Sequence, residues 1–127
     1  MEMGIRKTLS MDYQQALDRL PEALRSEGFG ILTEIDMRET MKKKLGVEFR
    51  RYKILGACNP PLAHQALGAN LDVGLMLPCN VVVYETDGGG CVVAAVDPTK
   101  TMAAGDPALA KLADTVRGKL AAALERI

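Results

Sequence analysis

Two short stretches hold the residue types best suited to chemistry. In "RYKILGACNPPLAHQAL", Arg51 to Leu67, Cys58 and Asn59 stand before the pair Pro60–Pro61. In "LPCNVVV", Leu77 to Val83, a second Cys-Asn pair, Cys79 and Asn80, follows Pro78. Cysteine acts as a nucleophile or metal ligand through its thiolate. A Cys58 just ahead of a helix would meet free amides and the positive end of the helix dipole, and both favour the thiolate. His64, the only histidine, falls one turn into the same expected helix and could serve as base or third ligand. If the two stretches meet, Cys58, Cys79 and His64 could hold a metal or carry redox chemistry.

The competing reading is that both cysteines are small apolar core side chains and that His64 is a surface or interface residue. Asn59 has a sufficient role as a helix cap, with Pro60 at the first helical position, where its missing amide costs nothing. Asn80 lies inside a strand-like run, where a buried amide must find partners and an open one can meet a ligand. Cys58, Asn59, Pro60, Cys79 and Asn80 are therefore the expected ligand-binding positions. The basic run "KKKLGVEFRRYK" (42–53) could grip an anion but reads better as the solvated side of a short helix. No nucleophile-elbow, HExxH or phosphate-loop pattern occurs, and no reaction or cofactor is indicated. The glycines of "DGGGCVV" and "AAGDP" read as turns.

The bulk chemistry narrows the classes further. A length of 127 residues predicts a single domain over 1–127, and 48% apolar residues suffice for a core. With no Trp and 4% aromatics, that core must be aliphatic. Sixteen basic residues balance sixteen acidic ones, which argues against nucleic acid as a partner and favours self-association. No apolar stretch is long enough for a membrane span, and the N-terminal residues lack a signal-peptide core, so a cytoplasmic location is expected. Three reduced cysteines without a CxxC spacing suit that compartment.

The elements that must position these residues follow from periodicity. Residues 4–10 suggest a first strand with Ile5, Lys7 and Leu9 on one face, and Ser10 as the cap of the next helix. Over 11–27, Tyr13, Ala16, Leu17, Leu20 and Leu24 make a helical stripe. Pro21 inside it predicts a kink or break, and Gly28 predicts the stop. Residues 29–35 form a strand. Asp36 caps a short helix striped by Met37, Met41 and Leu45 and closed by Gly46. Residues 50–58 form a strand and 60–68 a helix. The run 71–86 reads as strand halves separated at Pro78, its end paired antiparallel with 91–97 across the Asp87–Gly90 turn. A loop over 98–107 leads through Asp106 and Pro107 into a final helix striped by Leu109, Leu112, Val116, Leu120, Ala123 and Ile127. The layout is α+β: a mostly antiparallel sheet with two long helices packed on one face.

"SEGFGILTEIDMRETMKKKLGVEFRRYKILGACNPPLAHQAL" followed by "LPCNVVVYE" resembles the bacterial and archaeal proteins grouped as domain of unknown function 302. The likeness covers roughly Leu9 to Ala121. It implies a β-α-β4-α arrangement of the TATA-binding-protein-like superfold, with helices 37–45 and 60–68 inserted between strands, and a homodimer. It implies no activity, and a superfold shared with a DNA-binding protein is no sign of DNA binding. The expected function is a small homodimeric domain binding a small molecule or a protein partner. A thiol-dependent redox or metal-binding protein using Cys58 and Cys79, and a purely structural interaction module, are the alternatives.

Overall fold

The computed structural model describes residues 3–127. Five strands alternate with helices: β1 (Gly4–Leu9), α1 (Tyr13–Arg25), β2 (Gly30–Asp36), α2 (Met37–Leu45), β3 (Tyr52–Cys58), α3 (Pro60–Ala69), β4 (Cys79–Glu85), β5 (Cys91–Val96), α4 (Met102–Gly105) and α5 (Ala110–Glu125). All strand pairs are antiparallel, in the order β1-β5-β4-β3-β2. This is the expected α+β layout, with α2 and α3 inserted between strands. It is compatible with the TATA-binding-protein-like superfold.

Pleating gives the sheet two unlike faces. Leu55 and Ala57 of β3, Cys79, Val81 and Val83 of β4, and Cys91, Val93 and Ala95 of β5 point into one aliphatic core. Above them lie Tyr13, Ala16, Leu20 and Leu24 of α1 and Val116, Leu120, Ala123 and Leu124 of α5. Both long helices therefore cover the same face. The stripes read from the sequence for these two helices are the stripes that bury, because apolar surface removed from water drives the packing.

Local chemistry sets the element ends. Asp12, not Ser10, caps α1: its carboxylate accepts from the Gln14 amide at 3.0 Å, and the Asp12 amide donates in turn to Gln15 Oε1 at 3.3 Å. Strand β1 runs to Leu9, so the chain still needs residues 10–11 to turn before a helix can start. Helix α1 continues through Pro21 without a break. The core contacts of Leu20, Ala23 and Leu24 around the proline hold the turn that the missing amide weakens. It then ends in a Schellman pattern: Gly28 donates to Arg25 and Phe29 to Leu24, with Gly28 at φ 86°.

The run 71–86 departs from its reading. Residues Leu71–Met76 form a 3-10 helix, not a strand half, and only Cys79–Glu85 enters the sheet. The Asn70 side chain caps this turn by accepting from the Asp72 amide at 2.9 Å, a bond that competes with extended structure. The Leu77–Pro78 peptide between the two parts is cis. The 98–107 loop also contains the short helix α4, whose Met102 is buried with Ala66, Val73, Leu109 and Ala113 in a second, smaller core.

Candidate functional site

The β3–α3 corner is built as its residues require. Cys58 ends β3, Asn59 caps α3 and Pro60 opens it. The buried Asn59 amide uses both of its ends: Oδ1 accepts from the Leu62 amide at 3.4 Å, and Nδ2 donates to the Glu27 carbonyl at 3.1 Å. It thus ties the start of α3 to the turn after α1. Gly28 makes room for this, since a Cβ there would stand 2.8 Å from Asn59 Nδ2.

Cys79 opens β4 opposite Ala57, next to Cys58. The two cysteines, with Asn59, Phe29, Leu62 and Met102, line a void of about 20 Å³. That space has room for about one water, far below the roughly 300 Å³ at which small-molecule pockets begin. Burial, reinforced by the neighbouring Cys58, pushes the Cys79 thiol up to about 11. At neutral pH it is a protonated, apolar-packed group.

His64 is exposed and does not line this void. Among the described residues no three His, Cys, Asp or Glu side chains approach closely enough to hold a metal ion. The Cys58–Cys79–His64 cluster is therefore not assembled: α3 begins at Pro60, and its turn carries His64 to the solvent side while Ala66 faces inward. Pro60 is exposed as well. Cys91 lies apart, its thiol donating to the Met11 carbonyl at 3.5 Å. The basic run is largely neutralised by local carboxylates: Lys43–Glu39, Arg50–Asp87, Arg51–Glu85 and Lys53–Glu34 are ion pairs.

Asn80 stands on the opposite face of the sheet from Cys79, exposed, beside Gly56 of β3. This open face carries features that motif reading passes over. One row across it is Ile35, Ile54, Val82, Ala94 and Arg6; the next holds Tyr52, Tyr84, Val92 and Thr8. The Tyr52 and Tyr84 rings stack with centroids 5.3 Å apart and planes within 6°. Phe49 lies 6.2 Å from Tyr52. Three of the chain's five aromatic side chains thus gather outside the helix-covered core. Arg6 Nη2 donates to the Tyr84 hydroxyl at 3.0 Å. Arg6, Tyr52 and Tyr84, together with Gly4, Val82 and Ala94, shape an open trough of about 530 Å³. The signal was present in the alternation of "YKIL" and "VVVYE", which assigns Tyr52, Ile54, Val82 and Tyr84 to one side.

The sequence matches the domain of unknown function DUF302 over residues 5–127. The chain belongs to the DUF302 family. Its fold is similar to the crystal structure of an uncharacterized conserved DUF302 protein from Bacillus stearothermophilus, at 34% identity and a TM-score of 0.90, covering 99% of this chain and 98% of that one. No curated protein matches the sequence. The DUF302 assignment accounts for the five-stranded sheet and its two inserted helices and carries no activity with it. Among the described residues no helix is long and apolar enough to cross a membrane.

Proposed function

We propose that this protein is a cytoplasmic, homodimeric binding module that holds a small, largely apolar ligand on the open face of its sheet. One observation carries the reading: the stacked Tyr52–Tyr84 pair beside an apolar floor of Val82 and Ala94, in a trough of ligand size. Aromatic side chains offer large, stiff contact area at low entropic cost, and in a chain with so few of them their place outside the core is informative. The thiol alternative has less support, because the Cys58–Cys79 void admits only a water and Cys79 stays protonated near neutrality. The three unbridged cysteines suit a reducing cytoplasm.

The dimer is supported by α2. None of its residues is buried, although Met37, Met41 and Leu45 form an apolar stripe; Leu45 is 68% exposed and the following Val47 45%. The helix starts acidic, with Asp36 and Glu39, and ends basic, with Lys42, Lys43 and Lys44. Lys43 is already paired with Glu39 within the helix, and two copies crossing antiparallel about a two-fold axis would set each Asp36 end against the other's Lys42 and Lys44.

The ligand reading is tested by NMR titration with neutral 2-naphthalenemethanol. The Val82 and Ala94 methyl signals should shift together and saturably. No shift up to millimolar probe, or shifts confined to residues around Cys79 and Met102, would overturn it.

A further inference from the structure

We propose that the trough selects small carboxylates with a flat apolar body, Arg6 and Tyr84 receiving the charged end; this rests on the sheet-face reading above. Arg6 projects from edge strand β1, and its strand partner is Ala94, so the guanidinium stands over an apolar floor. Among the described residues it makes no ion pair with a carboxylate, whereas Arg25, Arg50, Arg51, Arg117 and Arg126 each have at least one. Its hydrogen bond goes instead to the Tyr84 hydroxyl. A guanidinium has five N–H donors in a planar fork, and one bond to Tyr84 leaves an edge free for bidentate recognition of a carboxylate. The Tyr84 hydroxyl accepts from Arg6, so its own proton remains available to the same anion.

The position of the charge fixes the shape of the ligand. Arg6 and the Tyr84 hydroxyl form one wall of the trough, with Val82 and Ala94 beside them and the Tyr52 ring stacked on Tyr84. A molecule that places a carboxylate on Arg6 therefore lays its body along Val82 and Ala94 against the aromatic pair. Among the described residues no carboxylate and no second cation line the trough, so flat apolar groups fit this surface better than polar ones. The ligand class is a monoanionic aromatic or similarly planar apolar acid.

The test compares 2-naphthoate with neutral 2-naphthalenemethanol on the wild-type protein and on the Arg6→Gln and Tyr84→Phe variants, by NMR titration. Both substitutions are at solvent-reachable positions, and a thermal melt checks folding. Naphthoate should bind wild type more tightly than the alcohol, and Arg6→Gln should remove that advantage, weakening naphthoate about fivefold to tenfold while leaving the alcohol unchanged. Tyr84→Phe should weaken naphthoate alone, by a smaller factor, and added salt should reduce naphthoate affinity only. If the two probes bind wild type equally and Arg6→Gln changes neither, the carboxylate inference is overturned while the sheet-face reading stands. If neither probe binds wild type, both are overturned.

Discussion

Cys79 and Asn80 are neighbours in the chain and lie on opposite faces of the sheet, Cys79 6% exposed in the core and Asn80 in the open. The repeated Cys-Asn pair therefore does not converge as a pair. Its first asparagine and both cysteines share the water-sized void, and its second asparagine belongs to the other surface. The trough of about 530 Å³ lies on Asn80's side of the sheet.

Cys79 should label slowly. With its thiol held up to about 11, alkylation of the folded protein near pH 8 should be far slower than for an unfolded control, and should rise only in strongly alkaline buffer. The linkage has a definite sign. The raised value means that the fold favours the protonated thiol, so this contribution is complete below the unfolded value of 9.0 and is lost as pH climbs from there through about 11. Denaturant titrations over that window should show a shallower decline for Cys79→Ala than for wild type. Equal slopes would contradict the assignment.

Asn59→Ala should destabilise the chain by about 1–2 kcal/mol, combining a lost N-cap with a partly buried Glu27 carbonyl left without its donor. Asn59→Asp keeps the cap acceptor but has no N–H for Glu27, so it should fall between the two. Urea midpoints at unchanged m-value measure both.

Asp97 is 5% exposed and accepts from the Thr99 amide at 3.0 Å, the Thr99 hydroxyl at 2.6 Å and Arg117 Nε at 3.0 Å. Burial alone would raise its carboxyl, but the Thr99 and Arg117 bonds outweigh it and hold the group below its ordinary 3.8. Its stabilisation is therefore present above that value and is lost as pH falls through the lower folded one. Asp97→Asn should cost about 1–3 kcal/mol at pH 7 and flatten the acid limb of the stability curve. A variant whose acid limb superimposes on wild type would refute this.

Gly56 sits where β3 passes under Thr33 and Pro78. A Cβ there would meet Thr33 Oγ1 and stand 2.6 Å from Pro78 Cγ, and a proline ring cannot rotate away. Gly56→Ala should cost about 1–3 kcal/mol by overpacking. A melting temperature equal to wild type would show that the Pro78 segment yields freely.

Leu45→Glu should separate the dimer proposed through α2. At micromolar concentration, sedimentation should give a dimer for wild type and a monomer for the variant, with unchanged circular dichroism, because Leu45 contributes nothing to the core of its own chain. A wild-type monomer, or a variant that remains dimeric, would remove α2 as the contact.

Much of the fold was legible because its strongest signals are local. The α5 stripe, the Asp36 and Asn59 caps, the Asp87–Gly90 turn and the β4–β5 hairpin all rest on bonds or periodicities within a few residues. The errors share a cause. Residues 71–76 are apolar enough for a strand, and only the Asn70 side chain and the packing of Val73 beside Met102 turn them into a 3-10 helix. Pro21 is a helix breaker that the packing of α1 overrules.

The sequence by itself determined most of the strand and helix content, the aliphatic core and the strand-to-helix corner at Asn59, because each depends on alternation, stripe or cap. Only the tertiary structure decided which of these segments share a surface. It closed the space between Cys58 and Cys79 to a single water, turned His64 outward, and brought Arg6 to Tyr84 across 78 residues of chain. Such proximity is set by strand order and register, and no local pattern in either segment encodes it.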